Sequence, residues 1–239
     1  MHALSELQNK IVRCKKCPRL IKYLSEIKEK LIVKTPRRGV SPWCKPVPSF
    51  GDVNAEILIV GLAPGRFGSN RTGRMFTGDS SGNFMYKILY ETGLCNQPIA
   101  TDINDGLVLK NCYITAVERC APPQNKPEKK ELENCFPYFV EELKLLKNIK
   151  VVVCLGKIAF DSYIKWLRTY NPVEMPHQSV STKNFKFIHG AIYSNKNLPH
   201  VLISTYHPSR QNTQTGRLTK KMFKKVFEKA IKNAASPSF

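Results

Sequence analysis

The sequence contains no apolar stretch that approaches the roughly 20 residues needed for a membrane-spanning helix. Its first residues, MHALSELQNKIVRC, also lack the apolar block of a secretory signal peptide. These two absences predict an intracellular protein, cytoplasmic or associated with the nucleoid. In a reducing compartment, eight cysteines do not indicate a disulfide framework, so we consider whether some of them bind a metal.

Acidic residues are scarce. The chain has 18 of them against 38 lysines and arginines, which gives a formal charge of +20. A field of this strength attracts polyanions, and nucleic acid is the leading candidate. A lysine-rich surface that only keeps the protein in solution is the alternative, and the two do not exclude each other. The hydrophobic fraction of 42% excludes a disordered chain.

Two common nucleotide-binding motifs and internal repeats are also missing. The sequence has neither Gly-Lys-Ser/Thr nor G-x-G-x-x-G, so a Walker loop and a dinucleotide-binding fingerprint are not supported. Four short apolar runs without clean alternation are typical of strands buried on both faces. They cover 56–62, 111–117, 150–156 and 200–207.

Helical patterns between these runs predict a parallel sheet covered on both sides, a three-layer α/β/α sandwich. We expect a single domain over 1–239. It would include an N-terminal segment, 11–30, that carries a C-x2-C pair. It would end in a basic helix at about 217–235, which has an apolar face and lysines outside.

Three polar loops follow three of the predicted strands: GLAPGRFGSNRTGRMFTGD (61–79), ERCAPPQNKP (118–127) and HPSRQNTQTGR (207–217). Because the carboxyl ends of parallel strands meet at one edge of a sheet, these loops should converge there. The five glycines of the first loop allow the backbone to approach a ligand closely.

Asp79 ends the first loop and His207 begins the third. A carboxylate can orient or activate a water, and a histidine can stabilise developing negative charge. Each also has a purely structural explanation. Asp79 could cap the helix that starts near Ser81, and His207 could be a strand-end histidine bonded to backbone.

Four cysteines have the spacing of metal ligands. Cys14 and Cys17 form the C-x2-C pair, and Cys120 and Cys135 follow the second strand. Four thiolates can bind tetrahedral zinc or a [4Fe–4S] cluster, and the spacing alone does not separate the two.

Together, the three loops and four cysteines resemble the motif set of the family 5 (B-type) uracil-DNA glycosylases. The resemblance extends from the C-x2-C pair to about Arg217. It implies a glycosylase fold with a central four-stranded parallel sheet, and it favours a [4Fe–4S] cluster over zinc. The implied reaction is hydrolysis of the N-glycosidic bond of uracil flipped out of DNA.

The resemblance also implies roles for individual residues. Asp79 would position the water with the help of Asn125, and His207 would stabilise the departing base. Phe76 would stack on the flipped base. The backbone of Gly61, Ala63 and Gly65 would line the base pocket. The loop carrying Ser209, Arg210 and Asn212 would enter the DNA helix. Arg71, Arg74 and Arg217 would contact phosphates, and Cys14, Cys17, Cys120 and Cys135 would bind the cluster.

The chain departs from the family 4 pattern at two positions. Leu62 stands where those enzymes have Glu, and Ala116 stands where they have an Asn that reads uracil. A site without this amide should discriminate bases less sharply. The expected substrates therefore include other deaminated bases such as hypoxanthine.

Two alternatives stay open from the sequence. One is a zinc-binding, non-enzymatic nucleic-acid-binding module, and the other is an enzyme of the same fold that crosslinks to uracil-containing DNA. Beyond DNA as partner, we expect a monomer without membrane contact. A sliding clamp is a natural partner for a repair enzyme, although the tail KNAASPSF shows no clamp-binding motif.

Overall fold

The computed structural model describes residues 2–34, 41–169, 184–196 and 198–236. Within these ranges the longer helices are α1 (His2–Val12), α2 (Pro18–Lys34), α4 (Ser80–Glu91), α5 (Lys129–Leu145), α6 (Lys157–Thr169) and α8 (Lys220–Ala235). Two short helices are α3 (Ser69–Thr72) and α7 (Arg210–Gln214). The strands are β1 (Phe50–Gly51), β2 (Ile57–Gly61), β3 (Cys112–Ala116), β4 (Val151–Leu155), β5 (Ile192–Tyr193) and β6 (Val201–Thr205).

The strands form one sheet in the order β1-β3-β2-β4-β6-β5. Its four central strands are parallel, as predicted, and each lies within a predicted apolar run. Two edge strands, β1 and β5, were not predicted and extend the sheet to six strands. β1 pairs antiparallel with β3, and β5 pairs antiparallel with β6.

Alternate residues of the central strands face opposite helical layers. Ile57 and Ile59 pack in the core beneath α4 and α8, whereas Leu58 and Val60 pack in the core beneath α1, α5 and α6. This arrangement confirms the three-layer sandwich. It also explains why the strands are apolar without alternation, since both of their faces are buried.

The C-terminal helix begins later than predicted. Thr219 caps it, because its hydroxyl accepts a hydrogen bond from the Met222 amide at 3.2 Å, and the first helical residue is Lys220. Arg217 therefore lies in the preceding loop. The predicted segment 11–30 consists of the end of α1, a connection that carries Cys14 and Cys17, and most of α2. No helix within the described ranges is both long and apolar enough to cross a membrane.

Candidate active site

The loops after β2, β3, β4 and β6 meet at the carboxyl edge of the sheet. The Val117 amide donates to the Gly61 carbonyl at 3.1 Å, which joins the first two loops. After β4, the Gly156 amide donates to the Thr205 carbonyl at 2.8 Å. Gly156 also lies against His207, since a Cβ at this glycine would be 3.6 Å from the His207 Cβ. The predicted convergence of the loops is thus present, and β4 contributes a turn to the same edge.

Asp79 is the N-cap of α4. Its Oδ1 accepts a hydrogen bond from the Gly82 amide at 2.9 Å, so the structural explanation of this residue is correct. The second oxygen, Oδ2, is turned toward the glycines of the first loop. A Cβ would be 2.7 Å from Oδ2 at Gly65 and 1.9 Å from it at Gly68. One carboxylate therefore caps a helix with one oxygen and presents the other to the loop that wraps around it.

Burial raises the pKa of the Asp79 carboxyl, and the amides of Gly82 and Ser81 and the charge of Arg71 oppose this rise. A carboxylate with a raised pKa is a better proton acceptor than an exposed one, which suits a group that activates water.

The Phe76 and His207 rings are stacked next to the end of β2. Their ring centroids are 5.7 Å apart and the rings are inclined by 28°. A Cβ at Gly61 would lie 3.3 Å from the Phe76 ring, so the absence of a side chain at Gly61 leaves room for the ring next to the strand end. The two rings and the bare backbone of Gly61 form an aromatic wall, but Phe76 is itself only 8% exposed, so the stacking of a planar ligand on its ring stays a prediction.

Burial lowers the pKa of His207 to about 4, so the imidazole is neutral at pH 7. A neutral imidazole carries one N–H donor. Its position is fixed from behind, because the Asn212 side-chain amide donates to the His207 carbonyl at 2.8 Å.

The third loop uses two of its predicted DNA-contacting side chains internally. Ser209 caps α7 by accepting a hydrogen bond from the Asn212 amide at 3.4 Å, and Asn212 holds His207 as described. Arg210 is exposed. Entry of this loop into a DNA helix stays a prediction, with Arg210 as the side chain free to make contact.

One predicted phosphate contact is wrong. The Arg74 side chain is only 4% exposed and forms an ion pair with Asp105 at 2.6 Å. Its Nε donates to the Thr77 hydroxyl at 2.9 Å. A phosphate cannot reach a guanidinium enclosed in this way, and Arg74 instead fastens the loop after β2 to the 99–107 loop.

The other two arginines are accessible to different degrees. Arg71 is half-buried and donates to the carbonyls of Phe67 and Gly78 at 2.8 and 3.3 Å, so it also braces its own loop. Arg217 is exposed, and its guanidinium carbon lies 4.4 Å from the centroid of the Tyr206 ring. Tyr206 directly precedes His207 in the sequence. Of the three arginines, Arg217 is best placed for a phosphate.

Two further predicted residues, Ala63 and Asn125, lie in the first and second loops. Ala63 is half-buried between Gly61 and Gly65. Asn125 is exposed at the end of a short 3₁₀ turn, Pro123–Asn125, with a left-handed φ of 57°. Within the described part of the chain, no hydrogen bond joins Asn125 to Asp79 or His207, so its part in the site stays a prediction.

The four predicted ligand cysteines line one pocket between α2, α5 and the loop after β3. Cys17, Cys120 and Cys135 are buried and Cys14 is half-buried. Burial raises the pKa of the Cys17, Cys120 and Cys135 thiols, and neighbouring carboxylates add to this rise. The pocket therefore favours neutral thiols until a cation joins them.

As donors, four thiols suit either a [4Fe–4S] cluster or zinc. In the described ranges, no group of three or more His, Cys, Asp or Glu side chains is arranged to hold a metal ion. All four predicted cysteines thus line one pocket, and their binding of a cluster or a metal ion stays a prediction.

Sequence reasoning missed two side chains that shape these pockets. Glu118 is fully buried and lines the cysteine pocket, where its Oε1 accepts a hydrogen bond from the Cys135 thiol at 3.0 Å. Ser69 is buried in the first loop, and its hydroxyl accepts a hydrogen bond from the Phe76 amide at 2.8 Å. Both lie within the loops predicted to form the site, but their residue types and spacing do not indicate the contacts that they make.

A comparison with known protein families identifies the family to which this chain belongs. The model described as "Uracil DNA glycosylase superfamily" matches residues 48–231. The chain belongs to the uracil-DNA glycosylase superfamily.

Individual relatives show which group within this superfamily the chain resembles most. A Type-5 uracil-DNA glycosylase of Thermus thermophilus is 45% identical over 213 residues, which cover 89% of this chain and 90% of the relative. One of Pyrobaculum aerophilum, also Type-5, is 38% identical over 88% of this chain and 84% of the relative. A Type-4 uracil-DNA glycosylase of Archaeoglobus fulgidus is 30% identical, over 66% of this chain and 62% of the relative. Both the identity and the coverage favour the Type-5 group, as the motifs predicted.

The fit between Gly68 and Asp79 gives a first prediction for this superfamily member. In Gly68→Ala, the new methyl group would overlap Asp79 Oδ2, so the carboxylate or the loop must move. A shift of about 1 Å in a reacting group can cost on the order of 100-fold in rate, and we expect a loss of this size in single-turnover uracil release. Ser162→Ala on α6 is the control, because it changes one small side chain whose hydroxyl bonds to the Ile158 carbonyl of the same helix, away from this loop. Full activity of Gly68→Ala would contradict the placement of Asp79 in the site.

Proposed function

We propose that the protein is a monofunctional DNA glycosylase that hydrolyses the N-glycosidic bond of uracil flipped out of DNA. The observation that carries this proposal is the meeting of Asp79, Phe76 and His207 at one edge of a superfamily fold. The charge of +20 supports DNA as the substrate.

Flipping is required because the bond between sugar and base cannot be reached inside the stack. The flipped base would stack on Phe76, whose ring lies next to Gly61. As the bond breaks, the sugar gains positive charge and the base departs as an anion. Asp79 Oδ2 would position the attacking water, and Asn125 would assist it from the second loop.

His207 would stabilise the departing base. Because burial lowers its pKa to about 4, it would act at neutral pH as an uncharged hydrogen-bond donor to a uracil oxygen, not as an acid carrying a full charge. Such a donor favours the developing anion and leaves the neutral ground state little affected, which is the requirement for catalysis.

The base pocket should also accept other deaminated bases such as hypoxanthine. Ala116 is buried at the end of β3 and pairs in register with Gly61. A methyl group stands there, so no side-chain amide at this position penalises a base that lacks the uracil pattern. This supports a broader range than a site with a reading amide would have.

We further propose that Cys14, Cys17, Cys120 and Cys135 bind a [4Fe–4S] cluster with a structural role. Their shared pocket and the family 5 resemblance support this assignment. Hydrolysis moves no electrons, so a cluster here would join the connection between α1 and α2 to the loop after β3 and to α5. Its basic surroundings, including Lys15 and Lys16, would help to hold DNA.

The test is an assay on oligonucleotide duplexes that carry uracil opposite G or hypoxanthine opposite T, analysed on denaturing gels before and after alkaline cleavage. We expect free base and an alkali-labile abasic site, with uracil as a substrate and hypoxanthine as a second one. A protein–DNA adduct that survives denaturation would support the crosslinking alternative. Inertness toward both bases would overturn the proposal and favour a binding module.

A further inference from the structure

Phe76 has an unusual backbone conformation for an aromatic residue. Its φ of 52° lies in the left-handed region, which side-chain-bearing residues seldom adopt. Such a conformation persists only where the surroundings hold it, and it is concentrated at functional sites. The question is which contacts hold Phe76 in this conformation.

Three contacts surround the Phe76 backbone. The Ser69 hydroxyl accepts a hydrogen bond from the Phe76 amide at 2.8 Å. The Phe76 carbonyl lies over Gly82, where a Cβ would be 1.7 Å away. The preceding carbonyl, that of Met75, accepts a hydrogen bond from the Tyr86 hydroxyl at 2.7 Å. Only the first contact bonds a polar group of Phe76 itself to a side chain.

We propose that Ser69 is a positioning residue for base recognition. It would hold the Phe76 amide so that the ring faces the pocket between Gly61 and His207. This inference rests on the proposed function, because it assumes that the Phe76 ring stacks on the flipped base.

The segment that carries Ser69 is itself fixed from both sides. The Asn70 amide donates to the Gly65 carbonyl at 3.0 Å, inside the loop that wraps Asp79. From outside, the amides of Trp43 and Cys44 donate to the carbonyls of Arg71 and Asn70, both at 2.9 Å. Cys44 in turn packs against Ile27 and Leu31 of α2.

Ser69 thus lies in a short helix, α3, that hydrogen bonds hold on both sides. Its hydroxyl can therefore fix the position of the Phe76 amide. Without the hydroxyl, the Phe76 amide would be buried and unpaired, and the ring would leave its place beside His207. Ser69→Ala should therefore lower kcat/KM for uracil release about tenfold, the effect of leaving one buried donor unsatisfied.

The test is a double-mutant cycle of Ser69→Ala and Phe76→Ala, measured by uracil release. Ser69→Ala should lower kcat/KM about tenfold in the parent and have no further effect in the Phe76→Ala background. Ser69→Thr, which keeps the hydroxyl, should recover most of the activity. Ser162→Ala is the matched control, because the Ser162 hydroxyl also bonds to backbone, to the Ile158 carbonyl at 2.8 Å, but on α6.

A second readout does not depend on catalysis. Because the Phe76 and His207 rings are stacked, Ser69→Ala should shift the His207 imidazole proton resonances, and Ser162→Ala should not. The inference is overturned by parent-like resonances and rates in Ser69→Ala, by an equal loss of activity in both backgrounds, or by full activity of Phe76→Ala. Absence of uracil release by the parent itself would overturn the proposed function, and the resonances would still test whether Ser69 positions the ring.

Discussion

Asp79→Asn is expected to retain the fold and to lose uracil release by about 10²- to 10⁴-fold, the range for removal of a group that transfers or orients a proton. Asparagine is as good an N-cap as aspartate, and its side-chain oxygen can still accept from the Gly82 amide. It cannot accept a proton from water. The substitution therefore separates the two roles of this residue, and single-turnover rates with thermal unfolding of the same samples measure both.

The matched control is Asp161→Asn on α6, where the carboxylate is exposed and paired only with Lys157 of the same helix. It should leave the rate of uracil release unchanged. Undiminished release by Asp79→Asn would mean that Asp79 is a cap and nothing more. A rate that falls only in proportion to lost folded protein would lead to the same conclusion.

Cys135→Ala is expected to abolish the bound cluster. The parent, purified without oxygen, should contain iron near the four atoms of one cluster and absorb broadly at roughly 400 nm. The variant should lose both signals. It should also unfold at lower temperature, because metal binding by converging thiolates contributes directly to the folding free energy.

Cys154→Ala provides the comparison, since Cys154 is as fully buried as Cys135 but lies in the core on β4, away from the pocket. It should lose some stability from the missing sulfur and keep its iron. Stoichiometric zinc in the parent would contradict the cluster and favour the zinc alternative. A full iron content in Cys135→Ala would contradict the ligand set.

The four central strands were predictable because strands buried on both faces must be apolar throughout, and runs such as 150–156 have no other simple explanation. The edge strands β1 and β5 were not. Each has two residues and pairs antiparallel with a strand already present, so neither leaves a periodic pattern in the sequence. Their existence depends on the sheet that they extend.

In the candidate site, too, the sequence predicts some of the residues and not others. Asp79 and His207 could be found because they end and begin loops at one sheet edge, which the parallel arrangement of the strands predicts. The burial of Arg74 could not be found, because its partner Asp105 lies 31 residues further along the chain. Ser69 escaped notice for a related reason, since its importance comes from the left-handed backbone of Phe76, which the residue type does not reveal.

The proposed function assigns catalysis of uracil release to two side chains, Asp79 and His207. Its most direct test is the single-turnover rate of uracil release from a duplex with uracil opposite G, measured for the parent, Asp79→Ala and His207→Ala together. We expect release by the parent and a loss of about 100-fold or more in each variant. Undiminished release by both variants would contradict it.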